Sequence, residues 1–185
     1  MTETLSTSMV TGLVRLSYAH LFEPASINGS QPKFSVSIII PKSDKKTIAD
    51  INAAVEAAKQ SGVAKYGGKI PAVLKLPLRD GDAERPDDAA YKNSYFLNAS
   101  SAQRPGIVDV KRQAILDADA VYSGCYGLVS INCYPFNTNG NKGVAVGLNH
   151  VMKIKDGEAL SGREDANTAF ANVSTDAYVE ENDDL

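Results

Sequence analysis

The sequence predicts a mainly β protein, a small barrel or sandwich with one principal helix and long loops. Three observations lead there. Short runs of alternating apolar and polar residues recur along the chain, one Ala-rich run alone has helical spacing, and strands nowhere alternate with helices as a parallel sheet requires.

Residues 10–18, "VTGLVRLSY", alternate as a strand with Val10, Gly12, Val14, Leu16 and Tyr18 on one face. "KFSVSIIIP" is a clearer strand, in which Phe34, Val36, Ile38 and Ile40 share the core face and Pro41 ends it. Ser43 is the expected helix N-cap, because Ile48, Ile51, Val55 and Ala58 then recur at helical spacing as far as "QSG". From Tyr66 the chain is rich in Gly, Pro and charge, which predicts a long excursion with at most a short strand at 73–76. Strands are expected again at "SYFLNAS", "GIVDV", 120–134 and 143–155. Beyond Gly157 the apolar pattern fades, leaving at most a helical turn near "NTAFANV". The division expected is a flexible stretch at 1–9, a folded domain at 10–157 and an acidic, largely disordered tail at 158–185.

The net charge of −3 averages two unlike parts. Residues 156–185 hold nine acidic side chains against Arg163 alone, leaving 13 acidic and 18 basic residues in 1–155. A basic body suits a polyanion, and an acidic tail (Asp176, Glu180, Glu181, Asp183, Asp184 at its end) repels or imitates one. The N-terminus "MTETLSTS" lacks the basic and apolar regions of a signal peptide, and no apolar run is long enough for a bilayer, so a soluble, cytoplasmic protein with no membrane partner is expected. Cys125 and Cys133, eight apart in one predicted strand, suit neither a disulfide nor a zinc site and read as buried free thiols.

The stretch "CYPFNTNGNKGVAVG" is the most informative. Along 126–134 the odd residues Gly127, Val129, Ile131 and Cys133 suit a core face, while Tyr126, Leu128, Ser130, Asn132 and Tyr134 form the other. In the returning strand Val144, Val146, Leu148, Met152 and Ile154 are expected inward and Gly143, Ala145, Gly147 and Asn149 outward. Rings on one strand then stand beside an open floor on the next, which suits a flat ligand such as an unpaired nucleobase.

The segments "YFLNASSAQRPGIVD", "VYSGCYGLVSINCYPFN" and "NGNKGVAVGLNHVMKIKDGEALSGR", together with "IPKSDKKTI" and "KYGGKIPAVLKLPLRDGDAERPDD", resemble the phage-encoded single-stranded-DNA-binding proteins with an OB-fold core. The likeness covers nearly all of 10–163. It implies an OB-fold domain, binding and protection of single-stranded DNA in phage replication and recombination, no catalysis and no cofactor, and a tail that competes with DNA or docks replication and recombination proteins. The tail departs from the best-known form, an acidic run closed by an aromatic residue, because it ends in Leu185.

By residue type, the candidates for base stacking are Tyr95, Phe96, Tyr122, Tyr126, Tyr134 and Phe136. Those for phosphate are Arg15, Lys33, Lys65, Lys69, Arg104, Lys111, Arg112 and Lys142. Three other readings compete. A strand-annealing or recombination mediator would share the fold, and a structural virion protein would need no DNA affinity. A metal-dependent nuclease would use Asp80, Asp82, Glu84, Asp87 and Asp88 of "RDGDAERPDD". That segment begins like a calcium loop, but Arg85 stands where Gly is needed and Tyr91 where Glu is needed, so a solvated loop is expected. His20 and His150 are isolated and read as structural; no metal site is expected.

Overall fold

A computed structural model of the chain describes residues 6–26, 29–160 and 169–178. Its strands are β1 (Ser8–Val10), β2 (Val14–Ala25), β3 (Lys33–Pro41), β4 (Arg79–Asp80), β5 (Ser94–Ser101), β6 (Gly106–Val108), β7 (Tyr126–Thr138) and β8 (Asn141–Lys155). Helix α1 spans Lys45–Ser61, and the short α2 spans Gly81–Glu84. Pairing runs β7-β2-β3-β5-β8 and returns from β8 to β7, so five strands close into a barrel. The β5–β8 pair is parallel and the rest are antiparallel, the OB-fold arrangement. The helix sits between the second and third barrel strands, where the Ala-rich run placed it.

Alternation fills the interior. Val14, Leu16, Val36, Ile38, Ile40, Leu97, Ala99, Val129, Ile131, Val144, Val146 and Leu148 are buried in one cluster, and Ile51, Ala54, Val55 and Ala58 of α1 close it. Cys125 and Cys133 are free and buried, and burial pushes the Cys133 thiol up to about 11.

The predicted strand 10–18 is broken in two. β1 and the start of β2 lie end to end along one edge of β7, with Ser8 opposite Asn132 and Val14 opposite Gly127. At the break, the Gly12 N–H donates to Thr47 Oγ1 at 3.0 Å, and a Cβ on Gly12 would lie 2.8 Å from both Asp44 Oδ2 and Thr47 Oγ1. The interruption therefore seats the start of α1. Pairing begins at Ser8, inside the stretch expected to be flexible, and Val10 is exposed, unlike Val14 and Leu16 of the same expected face.

The N-cap of α1 is Asp44, not Ser43. Its carboxylate accepts from the Thr47 N–H at 3.1 Å and from the Thr47 hydroxyl at 2.7 Å. Asp44→Ala is expected to cost about 0.5–2 kcal/mol of stability. Ser43→Ala should stay within about 0.5 kcal/mol; equal losses in chemical denaturation would return the cap to Ser43.

On β8 the expected parity holds through Leu148 and then changes. Ile131 faces Leu148 but Ser130 faces His150, so one residue of β8 bulges and Val151 takes the core position. Met152 is consequently half-buried and Ile154 exposed.

The excursion is more structured than its composition suggests. Lys75 bridges to Gly143 and β4 pairs with β5, so residues 75–80 fill the space where β5 and β8 diverge. The expected strand at 73–76 reduces to that one bridge, and Val73 is exposed. Residues 156–160, expected to lie in or beside the tail, are tied to the barrel. Glu158 O accepts from Arg15 Nη2 at 2.6 Å, the Leu160 N–H donates to Ser123 O at 2.8 Å, and Leu160 packs on Ile39, Tyr91 and Phe96. Near the expected helical turn, the Val173 N–H donates to Phe170 O at 3.1 Å. Asp176 is exposed, whereas Glu180, Glu181, Asp183 and Asp184 lie outside the described residues.

Candidate nucleic-acid interface

The outer face of the barrel carries a trough that crosses five strands. Ladder registers put Tyr134 opposite Ala145, Ser37 opposite Asn98, Ser35 opposite Ser100 and His20 opposite Ser35. From β7 to β2 the path crosses four strand spacings, about 19 Å. Its floor is made of small or polar side chains because the core residues alternate with them along each strand.

Two clefts make up the trough and share Asn98 and Ser100. The first, of about 590 Å³, is lined by Lys75, Leu76, Pro77, Arg79 and Ala145 as well. The second, of about 470 Å³, adds Tyr18, His20, Ser35, Ser37 and Arg85. Farther along the same strands, Ser101, Gln103, Arg104, Ser130, Asn149 and His150 line a third cleft of about 390 Å³.

The excursion supplies one wall. Lys42 reaches Asp80 at 2.9 Å and Asp82 at 2.8 Å, and these hydrogen bonds hold both carboxyls below their usual range. Arg79 pairs with Glu84 at 2.7 Å, and Asp88 Oδ1 accepts from the Ala90 N–H. Four of the five carboxylates weighed as metal ligands thus have structural partners. Among the described residues no group of His, Cys, Asp or Glu is placed to hold a metal ion.

A second small core lies beneath this wall. Phe96, on the outward face of β5 with Asn98 and Ser100, meets Tyr91 edge to face at 5.1 Å and packs on Ile39. The Tyr91 hydroxyl and Ser37 Oγ are 3.1 Å apart. At 1% exposure Phe96 has no ring face open to a base, which corrects its place among the stacking candidates.

The other aromatic candidates divide by location. Tyr122 packs against the main core, its hydroxyl 2.9 Å from Gly157 O, and burial raises its phenol. Tyr126 lies between Arg15, 5.5 Å from the ring centre, and Lys155, at 5.0 Å. Tyr95 is half-buried on the side of Leu97 and Ala99, under Lys42. Tyr134, 39% exposed, rises beside Ala145 on the trough face, and Phe136 covers Gly143, where an added Cβ would lie 2.9 Å from its ring and closer still to Lys75 O.

The cations divide as well. Arg15 donates to Gly124 O and Glu158 O, and Lys142 to Tyr66 O at 2.9 Å, so both are engaged in the fold. Arg104 lines the third cleft, while Lys33, Lys65, Lys69, Lys111 and Arg112 are exposed outside the three clefts. Sequence reasoning missed Lys75, Arg79, Arg85, Tyr18 and the polar floor. The alternating serines of "KFSVSIII" were the available signal for the floor.

The fold and face together define an OB-fold barrel with an open, cation-walled trough. The chain belongs to the family described as the Enterobacter phage Enc34 ssDNA-binding protein, whose model matches residues 7–184. Putative protein p50 of Acyrthosiphon pisum secondary endosymbiont phage 1 is 32% identical over 160 residues, covering 80% of this chain and 84% of that protein. The single-stranded DNA-binding protein from bacteriophage Enc34 in complex with ssDNA matches with TM-score 0.75 and 24% identity, over 84% of this chain and 90% of that one. The bacteriophage T7 protein gp2.5, a single-stranded DNA binding protein, matches with TM-score 0.62 and 17% identity over 97% and 98%.

Proposed function

We propose that this protein binds and protects single-stranded DNA along the trough during phage replication and recombination, in the host cytoplasm, with no catalytic step. The observation that supports this most is a continuous open floor from Ala145 to His20, walled by Lys75, Arg79 and Arg85, on the face by which OB-folds hold oligonucleotides. Membership of the Enc34 family supports it independently. Among the described residues no helix is long and apolar enough to cross a membrane. In this reading Tyr134 stacks a base, Phe136 supports it, and Lys75, Arg79, Arg85 and Arg104 meet phosphates. Arg15, Lys142, Tyr95, Phe96, Tyr122 and Tyr126 hold the fold, and Lys33, Lys65, Lys69, Lys111 and Arg112 add general positive field.

The same reading divides the chain into a domain ending near Leu160 and an acidic tail beyond it that competes for the trough and docks partners. Leu160 packs on the cluster at the edge of the trough, so a tether starting there begins close to the DNA path. Residues 164–185 carry Glu164, Asp165, Asp176, Glu180, Glu181, Asp183 and Asp184, at an effective concentration of about a millimolar. The test titrates full-length and 164–185-deleted protein against a single-stranded oligonucleotide and its duplex at low salt. Preference for the single strand and tighter binding after deletion are expected. No single-strand binding would overturn the function, and equal affinities of the two proteins would overturn the competing tail.

A further inference from the structure

Tyr18 stands out of its strand for a local reason. The β2–β3 ladder passes from Ser17 opposite Ser37 to His20 opposite Ser35, so β2 bulges there. The bulge changes parity: Val14 and Leu16 point into the core before it and Leu21 after it. Tyr18 sits in the bulge at φ 45°, a backbone region that disfavours a residue with a bulky side chain, and is 55% exposed in the trough. Bulges re-aim side chains next to functional sites, and strained backbone gathers there too.

Arg85 meets this ring from the opposite wall. Its guanidinium carbon lies 5.8 Å from the centre of Tyr18, 5.6 Å from Tyr91 and 5.5 Å from Phe96. Three rings thus fix a planar cation in the trough, but its side chain has no hydrogen bond or ion pair among the described residues. Three carboxylates line a cleft with it: Asp82 is held by Lys42, Asp88 accepts from the Ala90 N–H, and Asp87 makes no ion pair with it. A guanidinium held with its donors unused is preorganised for a phosphate oxygen pair.

We propose that Tyr18 and Arg85 form a nucleotide clamp at the β2 end of the trough: Tyr18 stacks one base of single-stranded DNA, and Arg85 binds the adjoining phosphodiester. This rests on the trough being the DNA path. The clamp fixes where one nucleotide sits, and the remaining contacts follow from that register. The cation is also specifically arginine, since a lysine ammonium is not planar and does not offer two parallel donors.

The experiment measures affinity of the full chain for a fluorescein-labelled oligothymidylate and for an abasic deoxyribose-phosphate oligomer, with melting temperatures alongside. Tyr18→Ala and Arg85→Lys are each expected to weaken oligothymidylate binding about 5- to 150-fold. On the abasic strand the Tyr18→Ala loss should vanish and the Arg85→Lys loss persist. Tyr18→Gly separates clamp from scaffold: glycine accepts positive φ, so the melting temperature should hold or rise while affinity falls as for alanine. Wild-type affinity in Tyr18→Gly, or in Arg85→Lys, would overturn the clamp while leaving the trough standing. Failure of the wild type to bind either strand would overturn both.

Discussion

Replacing Phe96 with alanine is expected to lower the unfolding free energy by about 3–5 kcal/mol. The ring is 1% exposed, edge to face with Tyr91 and packed on Ile39, and it anchors the wall that residues 79–91 place over the barrel. Tyr134→Ala should do the opposite. That ring is exposed beside Ala145, so its loss should change stability by less than about 1 kcal/mol and cost about 1–3 kcal/mol of single-strand binding. Urea denaturation paired with an oligonucleotide titration reads both quantities for both variants. A stable Phe96→Ala protein with lost affinity, or a destabilised Tyr134→Ala protein with full affinity, would exchange their roles.

The second large effect is on salt. Lys75, Arg79, Arg85 and Arg104 line the clefts, and a single strand releases about 0.7 counterions per phosphate neutralised. Four such contacts give a slope of log affinity on log salt near −2.8, or about a 50-fold loss between 50 and 200 mM. Removing Lys75 or Arg104 should flatten the slope by about 0.7 each. Lys111→Ala, on a loop away from the clefts, should leave it within about 0.2 of the wild type. A flat salt dependence in the wild type would mean that the cationic walls do not meet the backbone.

Much of the barrel was legible where its strands alternate without interruption. Gly127, Val129, Ile131 and Cys133 are buried as their spacing predicts, and so are Val36, Ile38 and Ile40. The reading of β8 held only to Leu148, because a bulge shifts parity and leaves no mark in the local pattern. The same device hid Tyr18, which the simple alternation of 10–18 put on one face with Val14 and Leu16. Arg79 and Arg85 were obscured by their neighbours: within "RDGDAERPDD" they read as part of a solvated charged loop. What gives them a place on the trough is the nonlocal anchoring of that loop, Lys42 to Asp80 and Asp82 and Tyr91 onto Phe96. Phe96 shows the converse error. Its outward position was implied by the strand, but the loop that covers it comes from residues outside β5.

Family membership says what kind of protein this is, and the trough says where on its surface the strand lies. The position of the strand is most directly measured by ultraviolet cross-linking of an oligonucleotide containing 5-iodouracil, followed by mass spectrometry of the attached peptides. The trough predicts cross-links at Tyr18 and Tyr134, with further adducts between 75 and 85. Cross-links confined to the loop carrying Lys111 and Arg112, with Tyr18 and Tyr134 unmodified, would place the DNA off the trough and contradict the account.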